Sequence, residues 1–268
     1  MHDAPIDTPG FTDLAFPTRH VGRRIASFRT VGSTSDVLET TLDFDGVVAL
    51  RQSAGRGQYG RIWQAPAEAS LLLSLKIDPP AHLNRPVILT AWAAVAVAEA
   101  ILELGGVQAR IKWPNDLLLK GKKVCGLLIE RKSSTIVGLG WNLNQTDGDF
   151  AVAGLPEATS LAAMTGRTIN RDAALACVLK HLDDEYDRLL AGEIVAVESD
   201  WKWRLGLLGR TVEVEMTDGG RLVGRLREIG FDGAELEIGD GAGVRTIPPE
   251  RIRQLRQISG DDERNASH

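Results

Sequence analysis

Three glycines in the segment 53–63, SAGRGQYGRIW, stand at Gly55, Gly57 and Gly60. This is the G-x-G-x-x-G spacing that lets a backbone approach a phosphate closely. Arg56 and Arg61 interrupt the spacing and Trp63 closes it, so the turn offers two guanidinium forks and a flat aromatic face to an anion. A second basic cluster, IKWPNDLLLKGKKVCGLLIE over 111–130, carries Lys112, Lys120, Lys122 and Lys123. Lys120 and Lys122 flank the Gly121 turn and read as solvated. Lys112 and Lys123 lead between apolar residues and can point inward, where an ammonium needs an anion.

Several chemistries share the glycine spacing. A dinucleotide turn is favoured by the strand-like GVVAL before it, but such a turn must open a helix whose N-terminus receives the pyrophosphate. Here RIWQAP brings Pro66 and then the strand pattern SLLLSLKI. A protein kinase would need lysine in a V-A-I-K context, H-R-D and D-F-G, and none occurs; neither does a Walker A loop or a G-x-S-x-G elbow. The remaining plain reading is an exposed loop whose arginines serve solubility.

The elements that must position these residues follow a mixed α and β pattern. Short strand patterns at RIASFRTV, GVVAL and SLLLSLKI alternate with helical ones, and Ser33 or Thr34 is placed to cap a short helix through VLETTL. Arg85–Leu104 is alanine-rich, with Pro86 in its first turn and Gly105-Gly106 at its end, which marks a buried helix. A second helix follows Asn170, with Leu175, Val178, Leu179, Leu182, Tyr186 and Leu189 at helical spacing and Gly192 as its stop. Between them ARIKW, DLLLK, KVCGLLIER and TIVGLGWNLN read as strands of one sheet. After Gly209, TVEVEM, RLVGRLREI, AELEI and VRTI, broken by Asp218-Gly219, Asp232-Gly233 and Asp240-Gly241, read as a small SH3-like β-barrel. The expected organisation is a loose N-terminal arm over 1–20, a catalytic domain over 21–206, the barrel over 207–258 and a frayed tail over 259–268.

The 268 residues are 43% hydrophobic and 25% charged, an ordinary globular composition, and a formal net charge of −5 argues against nucleic-acid binding through a broad basic surface. An anion should meet a concentrated site. Cys125 and Cys177 lie far apart without ligand-like spacing, which gives no support to a disulfide framework or a zinc cluster and fits a reducing, cytoplasmic compartment. No uninterrupted apolar run of membrane-spanning length is read, and the five histidines are assigned to neither catalysis nor a metal. Trp201 and Trp203 read as packing residues.

Taken together, the motifs resemble those of the biotin protein ligases. The match rests on G-R-G-x-x-G-R-x-W at Gly55–Trp63, K-W-P-N-D at Lys112–Asp116, K-V-x-G-x-L-I-E at Lys123–Glu130 and G-x-N-x-N at Gly140–Asn144. VGSTSD at 31–36 and ATSL at 158–161 extend it to about residues 21–257. The resemblance implies an α+β fold: a mixed-sheet biotin/lipoate ligase-like catalytic domain followed by the SH3-like barrel. It implies activation of biotin by ATP with Mg²⁺ as biotinyl-5′-AMP, then transfer of biotin to a lysine of a biotin carboxyl carrier domain of acetyl-CoA carboxylase or a related carboxylase.

By the same resemblance, Ser33, Thr34 and Gln52 would bind the ureido end of biotin, and Gly55, Arg56 and Gly57 its carboxylate and the phosphate joined to it. Arg61, Trp63, Asn115 and Asn142 would line the nucleotide side. Lys123 would reach the reacting carboxylate, Gly126 would let the ligand approach backbone, and Arg56, Lys112 and Lys123 would be the catalytic cations. Asp116 is the candidate Mg²⁺ ligand. The chain departs from the family at two biotin-side positions, with Gln58 in place of a third arginine and Ser35 in place of asparagine, and its closing barrel reads IPPERIRQL in place of the common G-E-V ending. A lipoate ligase shares the adenylate logic but lacks the G-R-G-x-x-G-R turn. A repressor would need a helix-turn-helix domain before residue 21, so no DNA and no membrane partner is expected, while a homodimer is compatible with the family. A binding module that holds biotin without activating it is the third reading, prompted by Gln58 and Ser35.

Overall fold

The computed structural model describes residues 11–40, 43–66, 68–239 and 243–258. Its first unit is an eight-stranded mixed sheet built from β1 (Thr12–Ala15), β2 (Arg24–Val31), β3 (Gly46–Gln52), β4 (Ser70–Ile77), β5 (Arg110–Lys112), β6 (Asp116–Leu119), β7 (Lys122–Arg131) and β8 (Thr135–Asn142). The strand order is β1-β2-β3-β4-β8-β7-β6-β5, with β2 and β3 parallel and the other neighbours antiparallel. The parallel pair needs a crossover, and α1 (Thr34–Thr40) lies within it; the Ser33 carbonyl accepts its first helical bond, from Val37 N–H at 3.2 Å.

One face of the sheet is covered by α2 (Pro86–Gly105), to which the chain returns after two short helices, α3 (Asp147–Val152) and α4 (Leu161–Thr165), with α5 (Arg171–Leu190) and α6 (Ile194–Leu205). Proline at the first helical position and a left-handed Gly106 after the last delimit α2, as its residue types require. Alanines let it pack closely against α5, and the buried Trp92 Nε1–H donates to the Leu182 carbonyl at 3.1 Å. Along β4, Leu71, Leu73, Leu75 and Ile77 join this core, while Ser70 and Ser74 alternate onto the other face. That face carries a small cluster of Ala26, Leu38, Phe44, Val47 and Ile136 under α1 and is otherwise left open.

The second unit is a five-stranded antiparallel sheet of the SH3-like type, with β9 (Thr211–Met216), β10 (Arg221–Gly230), β11 (Gly233–Glu237), β12 (Val244–Ile247) and β13 (Ile252–Gln257) in the order β12-β11-β10-β9-β13. It is joined to the first by tilted rings in contact, with Trp201 between Trp113 and Phe231 at centroid distances of 5.7 and 5.6 Å, and by Trp113 Nε1–H donating to the Ile252 carbonyl at 3.1 Å.

Several expectations need correction. The N-terminal arm is not loose over 11–20: β1 pairs with β2, and the backbone N–H groups of Arg19, His20 and Val21 all donate to the buried Asp183 carboxylate, at 2.8, 2.7 and 3.0 Å. By length and composition α2 is apolar enough to cross a membrane, but Glu99 and Glu103 interrupt it, so no uninterrupted apolar run results, and 72% of its most apolar window is buried inside the protein. The helix after Asn170 does end as expected, at Leu190, with Gly192 just beyond it at a φ of +87°. The elements α3, α4, α6, β1 and β13 carried too short or too mixed a pattern to be read. Trp203 is half-exposed beneath the guanidinium groups of Arg110 and Arg204 rather than packed in the core. The Asp240-Gly241 turn, residues 1–10 and the tail over 259–268 lie outside the described residues.

Burial alone would raise the Asp183 pKa, but the three backbone donors outweigh it and hold the group below the ordinary carboxylate value. A depressed pKa contributes stability that is present above the unfolded value, near pH 4, and is lost as pH falls through the folded one. Asp183→Ala should therefore lower unfolding free energy at neutral pH by about 2–4 kcal/mol, because it orphans three donors. Denaturant titration at pH 7 and pH 3 checks this, with the difference between variant and natural chain shrinking at the lower pH.

Candidate functional site

A cavity of about 510 Å³ opens on the uncovered face of the large sheet. Its wall is made by the loop at 52–64, the β5–β6 hairpin, the segment 154–158 and two residues of the C-terminal sheet, Arg253 and Gln254. The loop is a closed hairpin, not the start of a long helix: Trp63 N–H donates to the Gly55 carbonyl at 2.9 Å, Gly57 N–H donates to the Arg61 carbonyl at 2.7 Å, and a single 3₁₀ turn spans Gln58–Gly60. Tyr59 and Gly60 at its tip have φ of +57° and +73°, a conformation glycine adopts without cost and tyrosine does not.

Every site residue named from the sequence except Gly55 borders this cavity. Gly55 sits at the neck of the loop instead, where a Cβ would lie 2.7 Å from the Trp63 carbonyl oxygen and 2.8 Å from Gln52 Nε2. Its role is to let the hairpin close.

One end of the cavity is a buried hydroxyl cluster. Gln52 Oε1 accepts from Thr34 N–H at 2.8 Å and Thr34 Oγ1–H at 2.9 Å, and the Thr34 and Ser35 hydroxyls meet Ser74 Oγ at 2.7 and 3.0 Å. Ser33 is buried beside them. Ser74 was not read as a site residue; its signal was a serine at alternate positions with Ser70 inside an otherwise apolar strand.

The middle of the floor is bare backbone. Gly126 of β7 pairs in register with Gly140 of β8, and the Trp63 indole lies over both: a Cβ on Gly126 would be 2.9 Å from Trp63 Cζ3, and one on Gly140 would collide with Cε2 and Cζ2. Trp63 Nε1 is buried there without a hydrogen-bond partner.

Lys123 reaches the same spot through a β-bulge. The register of β6 against β7 shifts so that Leu117 faces Cys125 and Leu118 faces Lys123, leaving Val124 as the extra residue. Strict alternation from Gly126 would put position 124 on the cavity face; the bulge brings Lys123 there instead. Its Nζ is 2.6 Å from Asp116 Oδ1 and 5.4 Å from the centre of the Trp63 ring. Cys125, one residue on, points into the apolar core, and burial pushes its thiol pKa well up. Cys177 is also a free buried thiol, pushed up to about 12 by burial and then by Glu103.

Arg56 enters from the loop with both terminal nitrogens on Asp36, at 2.6 and 2.8 Å, and with Nη2 also 3.3 Å from Glu130 Oε1. Lys112 and Arg61 are exposed on the rim. Asn115 and Asn142 border the cavity, but much of their hydrogen bonding is internal. Asn115 Nδ2 donates to the Leu127 carbonyl, Asn142 Nδ2 donates to the Thr159 carbonyl, and Asn142 Oδ1 accepts from Gln145 Nε2. Asp116, the candidate Mg²⁺ ligand, borders the cavity with Oδ1 paired to Lys123 Nζ. Asp36, Lys132 and Arg253 were not read as site residues from the sequence, and Glu130 only as the end of a motif; apart from the near neighbours Glu130 and Lys132 they lie far apart in the chain.

Residues 21–144 match the model of the Biotin/lipoate A/B protein ligase family. The chain is 36% identical over 168 residues to the bifunctional ligase/repressor BirA of Bacillus subtilis, covering 60% of this chain and 52% of that protein, so it spans about half the length of that relative. It is 28% identical over 243 residues to the biotin–[acetyl-CoA-carboxylase] ligase of Mycobacterium tuberculosis, covering 85% and 88% of the two chains. Among solved structures, the biotin protein ligase from Aquifex aeolicus in complex with biotin and ATP superposes with a TM-score of 0.75 at 26% identity, over 87% of this chain and 99% of the other. Residues 21–144, which carry β2–β8 and most of the cavity lining, thus form a domain of the biotin/lipoate A/B protein ligase family.

Proposed function

We propose that the chain is an ATP-dependent biotin protein ligase, which activates biotin as biotinyl-5′-AMP and transfers it to a lysine of a biotin carboxyl carrier domain, that of acetyl-CoA carboxylase. The observation that carries this reading is the convergence of Arg56 and Lys123, from segments far apart in sequence, on one cavity. Its polar end, its glycine floor and its cations suit a ligand with a hydrogen-bonding head, a carboxylate and a nucleotide. The Mycobacterium tuberculosis relative is a biotin–[acetyl-CoA-carboxylase] ligase and the Aquifex protein holds biotin and ATP, which supports the same substrates here. The reaction belongs in the cytoplasm, with ATP and the carrier.

In this reading the hydroxyl cluster of Thr34, Ser35 and Ser74 with Gln52 receives the ureido head, where buried donors and acceptors discriminate strongly against ligands that leave them unpaired. Biotin's carboxylate oxygen attacks the α-phosphorus of ATP; the new P–O bond forms as the bond to pyrophosphate breaks, and pyrophosphate leaves. Both reactants are anions, so the barrier falls when Lys123, Arg56, Arg61 and Lys112 neutralise them in a water-poor site. Mg²⁺ bound with the triphosphate would supply further positive charge to the transferring phosphoryl group, and Asp116 is the carboxylate that would hold it. Trp63 covers the adenylate, because its ring already lies on the bare glycine backbone where a flat base would stack. The deprotonated amine of the carrier lysine then attacks the acyl carbon, the amide forms and AMP departs. The enzyme needs no nucleophile of its own, in keeping with two buried, unreactive thiols.

Pyrophosphate exchange into ATP, dependent on biotin, tests the first step, and a mass increase of a carrier domain with biotin and MgATP tests the second. Lys123→Ala should lower the exchange rate by about 100-fold or more, as loss of a charge at the reacting group does, whereas Lys122→Ala, exposed on the adjacent turn, should leave it unchanged. Equal rates for Lys123→Ala and the natural chain would remove Lys123 from the reaction. Gly140→Ala should overpack the floor at a cost of about 1–3 kcal/mol and weaken ATP binding in the presence of biotin by about tenfold. Titration calorimetry reads this, with circular dichroism to show that the sheet is retained.

A further inference from the structure

Arg56 is the cation through which the loop meets the cavity, yet its charge is already spent. Asp36, in the first turn of α1, takes both terminal nitrogens in a fork at 2.6 and 2.8 Å, and Glu130 adds a contact at 3.3 Å. Lys132 binds the same Asp36 carboxylate at 3.0 Å and Glu39 at 3.0 Å. Two cations thus face three carboxylates, and the group as it stands is net negative at the mouth of a cavity that takes anions. Asp36 is held as a carboxylate by these partners, Arg56 first, with its pKa brought down to about 2. Glu130 Oε2 is buried without a partner. The other end of the loop is pinned separately, by Arg253 over the Tyr59 ring at 5.0 Å and by Trp63 on the glycine floor.

A guanidinium presents one terminal fork, and that fork binds a single carboxylate or phosphate bidentately at a time. Resting on the proposed function above, we infer that Asp36 is a latch acting through Arg56: it occupies the fork that the ligand's carboxylate or phosphate would take, so that Arg56 exchanges between Asp36 and the activated intermediate. Asp36 is therefore a positioning residue and does not border the cavity itself. The exchange lowers the hold on the intermediate, because Arg56 leaves two charge-assisted bonds to gain two others. It also offers Arg56 a place to return to when the acyl group is handed over.

Asp36→Asn keeps the side-chain shape and removes the competing charge. With the latch, this variant should release preformed biotinyl-5′-AMP more slowly than the natural chain, by about tenfold, the equivalent of a single charge-assisted bond. Release is measured by chasing labelled intermediate with excess unlabelled biotinyl-5′-AMP. Because the effect runs through Arg56, Arg56→Ala and Arg56→Ala/Asp36→Asn should release at the same rate, and Glu39→Gln, which touches Lys132 but not Arg56, should match the natural chain. If Asp36 merely braced the loop, Asp36→Asn would speed release. Faster or unchanged release, or slowing that persists in the Arg56→Ala background, overturns the latch alone. A natural chain that neither forms nor binds biotinyl-5′-AMP overturns the functional reading and the latch together.

Discussion

Two glycines facing each other across neighbouring strands govern this site. Gly126 and Gly140 are directly paired in the β7–β8 ladder, and together they leave a patch of bare peptide wide enough for a flat ring to lie on the sheet. Any side chain at either position would meet the Trp63 indole. The loop can fold down over the cavity only because that patch exists, and the loop in turn delivers Arg56. The β7 bulge brings Lys123 to the border of the same patch. A ring, an ammonium and a backbone surface thus meet at one point, the arrangement that the proposed acyl-adenylate intermediate calls for.

Electrostatics set the second layer. Lys123 and Arg56 each stand beside a carboxylate within ion-pair distance, Asp116 for one and Asp36 for the other. Pairing in this way satisfies charges that would otherwise be costly to hold in a partly dry cleft. It also means that a ligand anion is received by substitution of one partner for another. Affinity then depends on the difference between two similar ion pairs and not on the full attraction of either.

The remainder of the molecule holds this arrangement in register. The core helices α2 and α5 back the sheet on the face away from the cavity, and Asp183 on α5 ties down the chain entering β2. The C-terminal sheet is locked to the β5–β6 hairpin through Trp113 and reaches the loop tip through Arg253. A unit whose alternating strands read as independent therefore supplies part of the cavity wall.

Strand and helix identity were legible wherever a run of residues buried a face, as in SLLLSLKI or the alanine-rich α2, because periodicity there records burial directly. The motifs around Gly55–Trp63, Lys112–Asp116, Lys123–Glu130 and Gly140–Asn144 were equally plain, since each requires particular residue types at close spacing. Local sequence carried no information about which carboxylate meets which cation: Asp36, Glu130 and Lys132 come together only after α1, β7 and the β7–β8 turn are folded. It likewise could not show that Gly126 faces Gly140, that a bulge turns Lys123 inward, or that Asn115 and Asn142 give much of their hydrogen bonding to the backbone. Residue types and short spacings determine which chemistry is available; long-range strand register and side-chain pairing, set by the packing of the whole sheet, decided where that chemistry is held.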